Sequence, residues 1–118
     1  MKKIEFLNLK PNPIFEKKLL SSAKKVIKSG FYILGPEVKN FEDKFSSYVG
    51  TKFSLGVGSG LDAISLSLKS LGLKNEDEVI VPSNTYIATW IAVSKLGAKI
   101  VPVEPNIFSY NIEAKEIE

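Results

Sequence analysis

Residues 54–64 read SLGVGSGLDAI. An apolar run breaks at three closely spaced glycines, Gly56, Gly58 and Gly60, and a helical pattern starts at once with Ala63, Ile64, Leu66 and Leu68. A strand-to-helix turn of this kind leaves backbone N–H groups uncovered at the positive end of a helix. Such a terminus can hold a phosphate without any basic side chain. The same residues are equally compatible with a tight strand–helix connection that binds nothing. The spacing is not that of the dinucleotide fingerprint, because the late glycine is missing. No Lys-Ser/Thr pair follows, as an ATP-type phosphate loop would require.

Outward from this turn, the pattern predicts strand, helix, strand, helix, strand. Phe53–Val57 reads as a buried strand, and Ser59 to about Leu71 as a helix whose Ser59-x-x-Asp62 resembles a capping box. Glu78–Pro82 (EVIVP) and Lys99–Val103 (KIVPV) read as further strands, with Tyr86 to about Leu96 a helix between them. The strands do not alternate cleanly between apolar and polar residues, so both faces are expected to be covered. This favours a parallel sheet with helices on each side, an α/β fold. Pro102 argues for an edge position of the last strand. Upstream, Asn12-Pro13 and Pro36 open two helices, which Gly30 and Gly50 close. Their apolar stripes are Phe15, Leu19, Ala23, Val26 and Ile27, then Val38, Phe41, Phe45 and Tyr48. Residues 111–118, NIEAKEIE, look like the opening of another helix, and the chain's ending there suggests a truncation.

The chain has 118 residues, enough for one domain with a modest core. It has no cysteine and no histidine. That removes thiol nucleophiles, disulfides, Ser-His triads and zinc sites with nitrogen or sulfur ligands; no metal site is expected. Sixteen basic against thirteen acidic residues give a net charge of +3. The lysines are scattered in pairs beside acids, which reads as a solvated surface and not as a nucleic-acid interface. No apolar run approaches the roughly 18 residues of a membrane helix, and the basic start has no uninterrupted apolar stretch behind it. A cytoplasmic protein is the default.

Two further segments carry side chains suited to binding. Pro82-Ser83-Asn84-Thr85-Tyr86 lies at the carboxyl end of the EVIVP strand, the edge where open α/β sheets place ligands. Tyr86 offers a flat face for a planar ring; the plainer reading is capping by Ser or Asn with Tyr86 in the core. The loop Ser29–Gly35 brackets Phe31 and Tyr32 between glycines and could lie across a cleft or a subunit interface, or pack between the two helices. Trp90 reads as core, and Glu42 and Asp43 as surface.

In order, the chain contains SGFYILGPEVKNFEDKFSSYVG, GVGSGLDAISLSLKSLGL, DEVIVPSNTYIATWIAVSKLGAKIVPVEP and SYNIE. This succession resembles the sugar aminotransferases of the DegT/DnrJ/EryC1/StrS family, from Phe6 to about Ile112. The resemblance implies the N-terminal part of the large domain of the type I, aspartate aminotransferase-like fold, with an incomplete, mostly parallel sheet flanked by helices. Residues 1–52 would form an N-terminal helical segment and 53–118 the start of the domain that binds pyridoxal 5′-phosphate (PLP). VPSNTYIATW followed by VPVEP looks most like the branch that moves an amino group from glutamate to C3 of a nucleotide-linked 3-oxo-6-deoxyhexose, usually a dTDP-sugar. Carried over residue by residue, the backbone at Gly60 and Leu61 would hold the PLP phosphate, Ser59 and Asp62 would shape the turn, and Tyr86 would stack on the pyridine ring. Tyr32 and Asn84 would approach the nucleotide-sugar, Tyr32 in its own site or in the neighbouring site of a homodimer. The implied setting is synthesis of amino-sugar precursors for polysaccharides or glycosylated products.

The family's Schiff-base lysine lies downstream of these motifs, so no catalytic residue is expected in this chain. Without that lysine the expectation is a piece that contacts phosphate and ring but does not transaminate alone. In type I enzymes the first strand of the large domain is separated from the second by strands that come later in sequence. Phe53–Val57 would therefore lack its neighbours here. Alternatives are a PLP-dependent sugar dehydratase of the same family, a non-catalytic phosphate-binding α/β module, and a decayed gene fragment.

Overall fold

The computed structural model describes residues 4–117. The chain divides into two compact units, one ending at Gly56 and the other starting at Val57.

The first unit holds helices α1 (Pro13–Ser29) and α2 (Pro36–Val49). The predicted ends of α1 are in place. Asn12 Oδ1 accepts from the Phe15 N–H at 2.8 Å, Pro13 occupies the first turn, and Gly30 closes the helix in the left-handed region with φ 70°. α2 starts after an uncapped Gly35 and ends at Gly50, φ 75°. The apolar stripes of both helices are present, but the structure leaves them largely bare. Phe15, Leu19 and Ile27 are at least half exposed, α1 has no buried residue, and Ser46 is the one buried residue of α2. Phe41 and Phe45 stack on each other, with ring centroids 5.6 Å apart. In the loop between the helices, Phe31, Tyr32, Ile33 and Leu34 are all well exposed. The loop therefore does not act as an apolar clasp between α1 and α2.

Two expectations are corrected here. Phe53–Val57 forms no strand. A strand exists only as part of a ladder, and no described segment pairs with this one. Glu42 is not a bystander on the surface: it is half-buried, and its carboxylate accepts from the Gly56 N–H at 2.8 Å.

The second unit contains α3 (Gly60–Ser70), β1 (Glu78–Pro82), α4 (Ile87–Ser94) and β2 (Lys99–Val103). β1 and β2 are parallel and in register from Glu78 opposite Lys99 to Pro82 opposite Val103. Crossover through α4 is the βαβ unit that the alternating pattern predicts. With only one paired side, β2 accommodates Pro102, which has no N–H for a second ladder. The core lies where α4 covers the sheet: Val81, Ala92, Val93 and Ala98 are buried. Trp90 is half-buried, and its indole N–H is enclosed without a partner among the described residues. α3 ends in a Schellman motif, with Leu73 N–H on Leu68 C=O at 3.2 Å, Gly72 N–H on Lys69 C=O at 3.0 Å, and Gly72 at φ 81°. Near the end of the chain, only a short 3-10 turn (Ala114–Glu116) forms where a helix was expected. One isolated turn has too few hydrogen bonds to hold a longer helix without tertiary support.

Candidate functional site

The first turn of α3 is built by Ser59. Its backbone is extended, its hydroxyl accepts from the Asp62 N–H at 3.1 Å, and it donates to the Asp62 carboxylate at 2.8 Å. This is half of a capping box, because Asp62 returns to the Ser59 hydroxyl and not to its backbone. The Ala63 N–H is on the Ser59 carbonyl at 3.0 Å. The Gly60 and Leu61 N–H groups remain, and no described residue accepts from either. Two adjacent donors at the N-terminus of an 11-residue helix are an arrangement able to accept an anion. Asp62 works against an anion by charge and for the helix by the dipole. Its carboxylate is engaged by Ser59 and lies toward Gly58, where an added Cβ would come within 3.2 Å of Oδ2.

None of the three glycines of the turn has positive φ, so backbone conformation does not require them. What Gly60 leaves is room: a Cβ there would meet nothing within 4 Å. Gly60 also lines a cavity of about 550 Å³, whose wall includes Ser59, Leu61 and Ile64 at the start of α3 and Tyr86, Ile87, Thr89 and Ile91 at the start of and within α4. The lining is mostly apolar with a few polar groups, the character of a small-molecule site.

Tyr86 reaches this cavity as the N-cap residue of α4, in an extended conformation, with no side-chain cap bond. It is 79% exposed, which removes the core reading of Tyr86. Neither Ser83 nor Asn84 caps α4. Ser83 N–H instead extends the sheet to the Val103 carbonyl at 2.9 Å. The Asn84 amide donates to the Tyr110 carbonyl at 3.3 Å, which ties it to the loop after β2 and away from the cavity wall. Tyr32 belongs to the first unit, where its hydroxyl donates to the Ile27 carbonyl at 3.4 Å. The structure thus gathers Ser59, Gly60, Leu61 and Tyr86 around one cavity, with Asp62 behind the turn. Asn84 is not part of the cavity's lining, and Tyr32 belongs to the first unit. Sequence reading missed Thr89, whose hydroxyl lies 3.0 Å from that of Thr85. Its position three residues after Tyr86 puts both on one helical face, a signal present in the sequence.

A phosphate on the two amides with a flat ring against Tyr86 fits this arrangement. The donors are unused, the adjoining space is open, and the walls are apolar. Among the described residues, no lysine lines the cavity.

The fold and this terminus define an α/β protein whose helix start presents two backbone N–H groups with no acceptor among the described residues. Residues 13–118 match the DegT/DnrJ/EryC1/StrS aminotransferase family, and the chain belongs to it. It is 48% identical over 116 residues to the dTDP-3-amino-3,6-dideoxy-alpha-D-galactopyranose transaminase of Aneurinibacillus thermoaerophilus, covering 98% of this chain and 32% of that protein. The crystal structure of DesV from S. venezuelae superposes with a TM-score of 0.82 at 43% identity, covering 88% of this chain and 28% of DesV. NtdA from Bacillus subtilis, solved with bound cofactor PMP, superposes with a TM-score of 0.75 at 30% identity, covering 89% of this chain and 25% of NtdA. The fold is accordingly the N-terminal part of a type I aminotransferase fold. The chain spans about a third of the length of the curated relative it matches.

Proposed function

We propose that this chain supplies the phosphate-and-ring wall of a PLP site in a nucleotide-sugar aminotransferase. The observation that carries the proposal is the pair of unused amides at Gly60 and Leu61, opening on a cavity that Tyr86 lines. Family membership supports the cofactor, and a relative named for a dTDP-3-amino sugar supports the substrate class. Gly60 and Leu61 donate to the phosphate. Ser59 and Asp62 hold the turn so that those donors stay aimed outward. Tyr86 fixes the plane of the ring, and Ile64, Ile87 and Ile91 keep water from its faces. When bound, the cofactor supplies the electron sink that lets an amino group pass from an amino acid to a ketone. Glutamate is the donor in this reading and a dTDP-linked 3-oxo-6-deoxyhexose the acceptor. Asn84 and Tyr32 serve the nucleotide-sugar, with Tyr32 acting across a homodimer or within its own subunit. Residues 1–52 form the helical arm, 53–118 begin the cofactor domain, and the enzyme works in the cytoplasm. In this reading the Schiff-base lysine lies downstream of the family motifs, so this chain binds and orients but does not transaminate alone.

The test is a calorimetric titration with pyridoxamine 5′-phosphate, which has no aldehyde to react with surface lysines, against pyridoxamine. The expected result is saturable binding that needs the phosphate and falls at least about tenfold in Gly60→Val, whose side chain fills the space beside the amides. Equal binding of both compounds, or an unchanged Gly60→Val, contradicts the proposal.

A further inference from the structure

The glycine turn is approached through a contact that its own sequence does not announce. Glu42, near the middle of α2, accepts from the Gly56 N–H at 2.8 Å through Oε1. The pairing spans fourteen residues of sequence. It fastens the residue where the first unit ends. A Cβ on Gly56 would lie 3.5 Å from the same oxygen and 3.7 Å from Val38 Cγ1, so both α2 side chains close on this peptide. Gly56 has no ladder partner to hold it, because 53–57 forms no strand. A carboxylate on an N–H is a charge-assisted hydrogen bond, roughly twice as strong as a neutral one.

We propose that Glu42 is a positioning residue for cofactor binding: it anchors the chain at Gly56 and so limits the conformations open to Val57 and Gly58, the residues that lead to the Ser59 cap. The inference rests on the cofactor reading of the Gly60–Leu61 amides. Its physical content is entropic. Glycines at 56 and 58 make the entry to the turn loose, since glycine has the most backbone freedom to lose. One tethered peptide before the turn removes part of that freedom before the phosphate arrives. The effect is mediated by covalent connection along 56–59. It requires reach and an acceptor atom, and it does not require negative charge. A carboxylate acting only by charge would oppose an anionic ligand, so the two roles have opposite signs when the charge is removed.

The experiment compares Glu42→Gln, Glu42→Asp and Glu42→Ala with the unaltered chain. Hydrogen exchange at the Gly56 amide is read by NMR, and affinity for pyridoxamine 5′-phosphate by calorimetry. Glutamine keeps the acceptor at the same reach. Aspartate keeps the charge but is one methylene too short. Alanine removes both while preserving helix propensity. The account expects Gly56 exchange to quicken about tenfold in the alanine and aspartate variants and affinity to fall about fivefold. The glutamine variant, which retains a neutral hydrogen bond of about half the strength, should lie between, with exchange quickened about threefold and affinity lowered about twofold. Exchange of the α2 amides serves as the control for folding. Unchanged Gly56 exchange in the aspartate variant overturns the tether and leaves the cofactor reading intact. Quickened exchange with unchanged affinity overturns the positioning role. Tighter binding by the glutamine variant shows a purely electrostatic effect and also overturns it. Absence of phosphate-dependent binding in the unaltered chain overturns the cofactor reading, and this inference with it.

Discussion

α1 carries a cap at each end and no buried residue, whereas α4 has no side-chain cap and buries Ala92 and Val93 almost completely. Both are helices, for different reasons. The first is delimited by local chemistry: an Asn cap, a proline in the first turn, and a glycine at φ 70°. The second is held by what it covers, the face of a two-stranded parallel sheet. Capping is worth about 1 kcal/mol per end, while a buried side chain of valine size contributes roughly twice that. The first turn of α3, the candidate site, lies in the second unit. Its scaffold is the packed one.

Substitutions can break this contrast. The largest expected effect is at Val93, which is 1% exposed. Val93→Asp buries a charge without a partner and should cost about 4 kcal/mol or more in chemical denaturation. Phe15→Asp, at a position 57% exposed, should cost less than about 1 kcal/mol. Comparable losses from the two would show that the α1 stripe is covered in solution. A smaller effect belongs to the caps. Asn12→Ala should lower protection of the α1 amides by about 1 kcal/mol and leave those of α4 unchanged, as read by hydrogen exchange. Loss of α4 protection in that variant would show that the two units do not act independently.

The smallest effect is one of pH, in the loop after β2. The Lys115 ammonium, 2.8 Å from the Glu113 carboxylate, holds that carboxyl below its ordinary value, and the Asn106 amide adds to this. The folded value is the lower one. The stabilisation is therefore fully present above the reference value of 4.5 and is lost as pH falls through the folded value. Below that point Asn106 should lose its charged acceptor. The measurement is the Asn106 side-chain amide shift followed down in pH. A shift that moves with a midpoint above 4.5 would reverse the sign.

Much of the fold is legible in the residues. Asn12-Pro13, Gly30, Pro36, Gly50, Ser59 and Gly72 mark helix ends because each acts through its own backbone or a neighbour's. EVIVP and KIVPV are strands because they pair with each other through a helix of the right length. Phe53–Val57 (FSLGV) is also mostly apolar and is not a strand, since an apolar run cannot by itself supply a ladder. For the same reason the stripes on α1 and α2 announce a buried face that the described residues do not provide. At the candidate site, the helix cap follows from the Ser59-x-x-Asp62 spacing, while Tyr86 is marked by its place at the carboxyl end of EVIVP and by the family resemblance. Asn84 is drawn to the Tyr110 carbonyl, and Glu42 to Gly56, across 26 and 14 residues respectively. Contacts at such separations leave no periodic trace in a single sequence.

The most direct measurement is an amide NMR titration of the chain with pyridoxamine 5′-phosphate. The account predicts that the Gly60 and Leu61 resonances move most and saturate together, with Tyr86 ring signals following. Saturable binding that leaves those two amides in place while shifting others would contradict it.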